Sequence, residues 1–193
     1  MRLSKRMWWV LGCALFFVAI VIGCASMGWY PVAFVNGIPI MARAYSLGYT
    51  VAYRYADYFN QPTRDRVSDA ALSATIQKAA LEGMIDRVLV LNHLHQEMRS
   101  NEVQQKVDEY VNRLLVDEKF STELLSILKV SKSDARRAYL DQQALYAILE
   151  GRLTLEQTSL FNWLLKERRA ARVTILLPSF YWTGDRVELK SDE

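Results

Sequence analysis

Few residues in this chain are spaced for covalent or metal chemistry. His93 and His95 are its two histidines. They stand two apart, which on a helix turns them to different faces and disfavours a shared metal site. Glu82 and Asp86 stand four apart on one face and suggest a carboxylate pair. No nucleophile or ligand set accompanies them, so the expectation is a solvated face. Lys166, Arg168, Arg169 and Arg172 gather at the end of a helical stretch, where the helix dipole favours cations without any ligand. A contact with a membrane surface is the functional alternative. Both cysteines lie inside one apolar segment, so the rest of the chain has neither disulfide nor thiol chemistry. These residues point to no catalytic group, no metal and no cofactor.

The binding candidates are aromatic. Tyr45, Tyr49 and Tyr53 fall at i, i+4 and i+8 and share one helix face. Exposed, such a stripe would grip apolar chain segments with little sequence preference. The alternative is that this face is buried as well as the opposite side, where Ala44, Gly48, Val51, Tyr55 and Tyr58 are expected to meet the core. Met41, Met84 and Met98 are either adaptable contacts or core fillers.

The elements that would position these residues are mostly helical. Val32–Val35 and Ile38–Ile40 flank Asn36-Gly37, a pair that tolerates positive φ and signals a hairpin. Pro39 confines the second strand to an edge. Helices are expected over 41–59, from Ser68 or Asp69 to about Met98, from a cap at Ser100 along Val103, Val107 and Val111, and over Thr122–Leu128. Ser131 with Asp134 forms a capping box that opens a helix over 132–149, ended by Gly151. A last helix covers 155–171, followed by a strand at 173–177 and a polar, loose tail. The terminal strand is the candidate to complete a small sheet with the hairpin, because a lone hairpin is marginally stable in water.

The block Trp8–Trp29 holds no charged residue and follows Arg2, Lys5 and Arg6. As a helix it would be roughly 31 Å long, the hydrocarbon thickness of a bilayer. Trp8 and Trp9 at one edge, and Trp29 and Tyr30 at the other, suit two membrane interfaces. The basic start places residues 1–6 in the cytoplasm, a signal anchor at 7–29 and the remainder outside. Three other readings share this segment. They are a cleaved signal peptide, a buried core helix, and a lipoprotein in which Val21-Ile22-Gly23-Cys24 acts as a lipobox and Cys24 is lipidated. The chain carries +3 and its first six residues supply +3, so the body is neutral. That argues against a nucleic-acid partner, which needs a basic footprint.

The order of these features resembles a known family. Val32-Ala33-Phe34-Val35-Asn36-Gly37-Ile38-Pro39-Ile40, a strand, a V-N-G turn and a second strand before helices, resembles the N-terminal chaperone domain of the SurA, PpiD and PrsA foldases. Leu81-x-x-Met84-Ile85-x-x-Val88-Leu89 looks like that family's hydrophobic helix. The step Leu128-Lys129-Val130-Ser131 and the run from Trp163 to Leu176 are similar to its later helix and returning strand. The resemblance covers about 32–177. It departs where the family's enzymes carry a parvulin isomerase domain, since only Gly151-Arg152-Leu153-Thr154 occupies that place. The resemblance implies a mainly α chaperone domain over 30–178, with a small antiparallel sheet joining the N-terminal hairpin to a C-terminal strand. It also implies an extracytoplasmic, membrane-anchored protein that binds unfolded or nascent exported polypeptides without ATP. A peptidyl-prolyl isomerase of the same family, or an adaptor for one fixed membrane-proximal partner, are the alternatives.

Overall fold

The computed structural model describes residues 23, 27–60 and 69–190. Strands β1 (Pro31–Val35) and β2 (Ile38–Met41) form the hairpin. Asn36 and Gly37 take φ of 51° and 83° at its turn, as a tight right-twisted hairpin requires. Helices α1 (Ala42–Asn60), α2 (Asp69–Glu97), α3 (Ser100–Val116) and α4 (Glu118–Leu128) follow. A short α5 (Lys132–Ala135) runs through a π-helical turn (Arg136–Leu140) into α6 (Asp141–Leu155). Helix α7 (Leu160–Ala170) leads to β3 (Val173–Ile175), β4 (Phe180–Trp182) and β5 (Val187–Leu189). The chain is mainly helical with small antiparallel sheets.

Three helix starts have a polar side-chain cap. Ser131 Oγ accepts from the Asp134 amide and donates to Asp134 Oδ2, at 3.1 and 2.7 Å. Asp117 caps α4 through the Phe120 amide, and Ser159 caps α7 through that of Asn162. The expected cap at Ser100 is absent. Arg99 holds that position without a side-chain bond, and Ser100 is already helical. Gly151 does not end its helix, which continues to Leu155, and the terminal helix starts at Leu160 rather than 155.

The sheet order is β2-β1-β3, with β3 antiparallel to β1 and Ala33 opposite Ile175. Pro39 stands on an outer strand, where its missing N–H breaks no ladder. Asn36 is tied to the start of β3. Its amide donates to the Arg172 carbonyl at 2.9 Å and its Oδ1 accepts from the Arg172 amide at 2.8 Å.

Two apolar cores share α2. Val32, Val35, Leu81, Ile85 and Leu89 belong to the one under the sheet. Val90, Leu94, Val107, Leu140 and Leu149 belong to the one among the helices. Residues 179–190 are not a loose tail. β4 and β5 pair as a second hairpin, and Phe180 and Val187 sit in the sheet-side core. The expected 178 boundary therefore cuts through a packed unit. Among the described residues no helix is long and apolar enough to cross a membrane. The basic stub, Cys24 and all but Gly23 and residues 27–29 of the expected anchor lie outside the described residues.

Candidate functional site

The N-terminus of α1 fixes the site. The first amides of a helix have no partner within it. Here the Ala42 amide donates to the Tyr30 carbonyl at 2.8 Å, and the Arg43 amide to the Gly28 carbonyl at 3.1 Å. Gly28 has φ of +69°, and a Cβ there would stand 3.0 Å from the Arg43 nitrogen. Only glycine brings the incoming chain this close without strain. The clamp lays Trp29, 65 % exposed, beside the helix.

Around this clamp runs a groove of about 550 Å³, within the size range of ligand clefts. Trp29 and Met41 line one end, Ala44 and Leu47 of α1 one wall, Met84 of α2 and Ala138 of the π turn the other. Gly48 shapes the seam between the walls. A Cβ there would come within 2.9 Å of the Met84 terminal methyl, so the bare backbone lets α2 approach.

The rim is cationic. Arg43, Arg87 and Arg137 line it, and among the described residues no aspartate or glutamate does. Arg87 Nη1 donates to the Arg137 carbonyl at 2.8 Å, which holds α2 to the π turn. The turn also sorts two adjacent arginines. Arg136 is engaged by Asp108 and Asp141, whereas Arg137 is exposed on the groove side. π turns recur at functional positions because the widened turn re-aims side chains.

The tyrosine stripe lies across α1 from this groove. Tyr45, Tyr49 and Tyr53 are half-buried rather than exposed. The Tyr49 hydroxyl pairs with the Ser73 hydroxyl at 2.9 Å, and the Tyr45 hydroxyl donates to the Gln77 carbonyl at 3.5 Å. The Tyr49 and Tyr53 rings are 6.0 Å apart. The stripe is thus chiefly the seam between α1 and α2. Tyr45 and Tyr49 also edge a smaller cleft, about 290 Å³, with Leu177 and Phe180. Burial, with the nearby Tyr49 adding to it, pushes the Tyr45 hydroxyl up to about 12. Of the expected core side of α1, Val51 is buried, but Ala44, Tyr55 and Tyr58 are exposed.

Glu82 and Asp86 are not a solvated face. Asp86 is 5 % exposed and accepts two hydrogen bonds from Arg168, 2.6 and 2.7 Å long. Burial pushes its carboxyl up, and the Arg168 guanidinium pulls it back only in part. Glu82 Oε1 accepts from the Val187 amide at 2.9 Å. Both carboxylates therefore serve the C-terminal helix and hairpin, and Arg168 of the basic cluster is a half-buried partner. His93 packs on Trp163, with ring centres 4.9 Å apart, and its Nε2 lies 3.2 Å from Glu97. His95 is exposed. Among the described residues no group of three or more potential ligands could hold a metal ion.

Comparison with protein-family models, curated proteins and solved structures returns no match.

Sequence reasoning singled out Met41 and Met84 but missed Leu47 and the three arginines of the groove. Arg43 and Leu47, four apart opposite the tyrosines, were the available signal.

Proposed function

We propose that this chain holds segments of non-native polypeptide in the groove between α1, α2 and the π turn, without nucleotide, as a chaperone module tethered at the outer face of a membrane. The observation that carries the reading is the groove itself. Apolar side chains from four separate segments line a cleft that no part of the described chain covers. Met41 and Met84 add polarisable, unbranched contacts that adapt to different side chains. Grip of this kind is weak, because ordering a flexible client offsets much of the burial. Weak grip suits a holder that must release.

The family resemblance supports the same reading. A hairpin closed by a returning strand, with helices between, is the order implied by the SurA, PpiD and PrsA chaperone domain. Tethering by the N-terminal apolar run would raise the local concentration of the groove where exported chains emerge.

The test is aggregation of an unrelated denatured protein, with the full-length chain held in a neutral phospholipid nanodisc. Near-stoichiometric amounts slow aggregation, and Leu47→Glu, which puts a charge on the groove wall, removes most of that protection. No protection by the wild-type chain would overturn the reading.

A further inference from the structure

We infer that the groove selects client segments in which an apolar residue is flanked by acidic ones. The inference rests on the holding function proposed above and names its substrate class.

Arg136, Arg152, Arg168, Arg169 and Arg186 each have a carboxylate within salt-bridge distance. Among the described residues the three around the groove do not, and neither do Arg54, Arg99, Arg113 and Arg172; what sets the three apart is that they converge on one apolar cleft. Among the described residues, Arg43 and Arg137 have no side-chain partner, and Arg87 is bonded only to a backbone carbonyl. The body as a whole is neutral, so this is a local arrangement and not a result of net charge.

The positions are also fixed by the backbone. Arg43 is held by the hydrogen bond from its backbone N–H to the Gly28 carbonyl, Arg87 by its hydrogen bond to the π turn, and Arg137 by the turn that directs its neighbour to Asp108. A guanidinium offers a planar fork of donors that matches a carboxylate. An apolar floor with three such forks at its edge is complementary to an apolar side chain with carboxylates one or two residues away. A lysine-flanked segment would bring like charges together over the same floor. Exposed ion pairs are individually weak, so three acting together correspond to about a tenfold preference, screened by salt.

The test uses the full-length chain in phosphatidylcholine nanodiscs and three fluorescent peptides. They share a Leu-Phe-Leu core and carry aspartate, serine or lysine flanks. Anisotropy is expected to rank them aspartate, serine, lysine, with about tenfold between the extremes, and the ranking is expected to collapse in 1 M salt. Arg43→Gln with Arg137→Gln, at two exposed positions, should narrow the spread between the aspartate and lysine peptides to the part that Arg87 supplies, and an unchanged spread would overturn the charge selectivity. Equal binding of all three peptides overturns the charge selectivity and leaves the holding function standing. Binding of none overturns both. Loss of the aspartate peptide's binding when phosphatidylglycerol replaces the neutral lipid would assign the rim to lipid phosphate, and that too overturns the inference.

Discussion

Asp86 and Arg168 are 82 residues apart in sequence and joined by two hydrogen bonds of 2.6 and 2.7 Å. Arg168 Nη1 also reaches the Asp185 carbonyl at 3.4 Å. One guanidinium therefore links the middle of α2 to α7 and to the loop between β4 and β5. The linkage holds α2 in place, and α2 supplies Met84 and Arg87 to the groove.

Breaking that pair on one side leaves a buried charge alone. Asp86→Ala should cost about 2–4 kcal/mol in urea unfolding, below the fully buried range because Arg168 retains some solvent contact. Asp86→Leu with Arg168→Met should recover most of the loss, since two apolar groups leave no orphan. A double variant no more stable than the single one would show that the pair does not act as a unit.

Gly48→Ala separates groove from fold. A methyl group there displaces the flexible end of Met84, 2.9 Å away, and improves helix propensity by up to about 1 kcal/mol. Thermal stability should stay level or rise slightly, while the affinity for an apolar peptide falls severalfold. A variant that binds as tightly as the wild type would remove Met84 from the grip.

The C-terminal hairpin is part of the core. Phe180 is 3 % exposed, and Phe180→Ala should cost about 3–5 kcal/mol, as large-to-small core changes do. Denaturant melts of the purified chain measure this directly. A cost below about 1 kcal/mol would return residues 179–190 to the status of an appended tail.

Alkaline pH gives a signed test of the packing. Tyr45 and Tyr146 are each pushed up to about 12 from an ordinary 10.0, chiefly by burial. The folded chain holds these protons more tightly than the unfolded one. Their contribution to stability is full below pH 10 and is lost as pH rises through 12. Absorbance titration should show a late phenolate step that Tyr45→Phe and Tyr146→Phe each reduce. A single step near pH 10 would contradict the burial of both.

The hairpin was legible because Asn36-Gly37 has a local signature that needs no partner. The pairing of β3 with β1 followed from the marginal stability of an isolated hairpin. Helix positions followed from apolar spacing. The orientation of α1 did not, because the tyrosine face and the Ala44–Val51 face are both partly apolar and one helix does not say which side meets α2. Asp86 lies between the buried Leu89 and Val90 on the helix surface, but its partner is too distant in sequence for spacing to reveal. β4 and β5 have three residues each, too short for a periodic pattern. The groove was least legible of all, since it is built from four segments and from a π turn that breaks helical spacing.

The central claim is that polypeptide occupies the groove, and site-specific photocrosslinking tests it most directly. A photoreactive phenylalanine analogue is placed at Leu47 in the full-length chain, with the exposed Lys119 on α4 as the control position. Irradiation with a labelled, permanently unfolded protein should give an adduct from position 47 and little from 119. Equal labelling at both positions, or none at 47, would contradict the account.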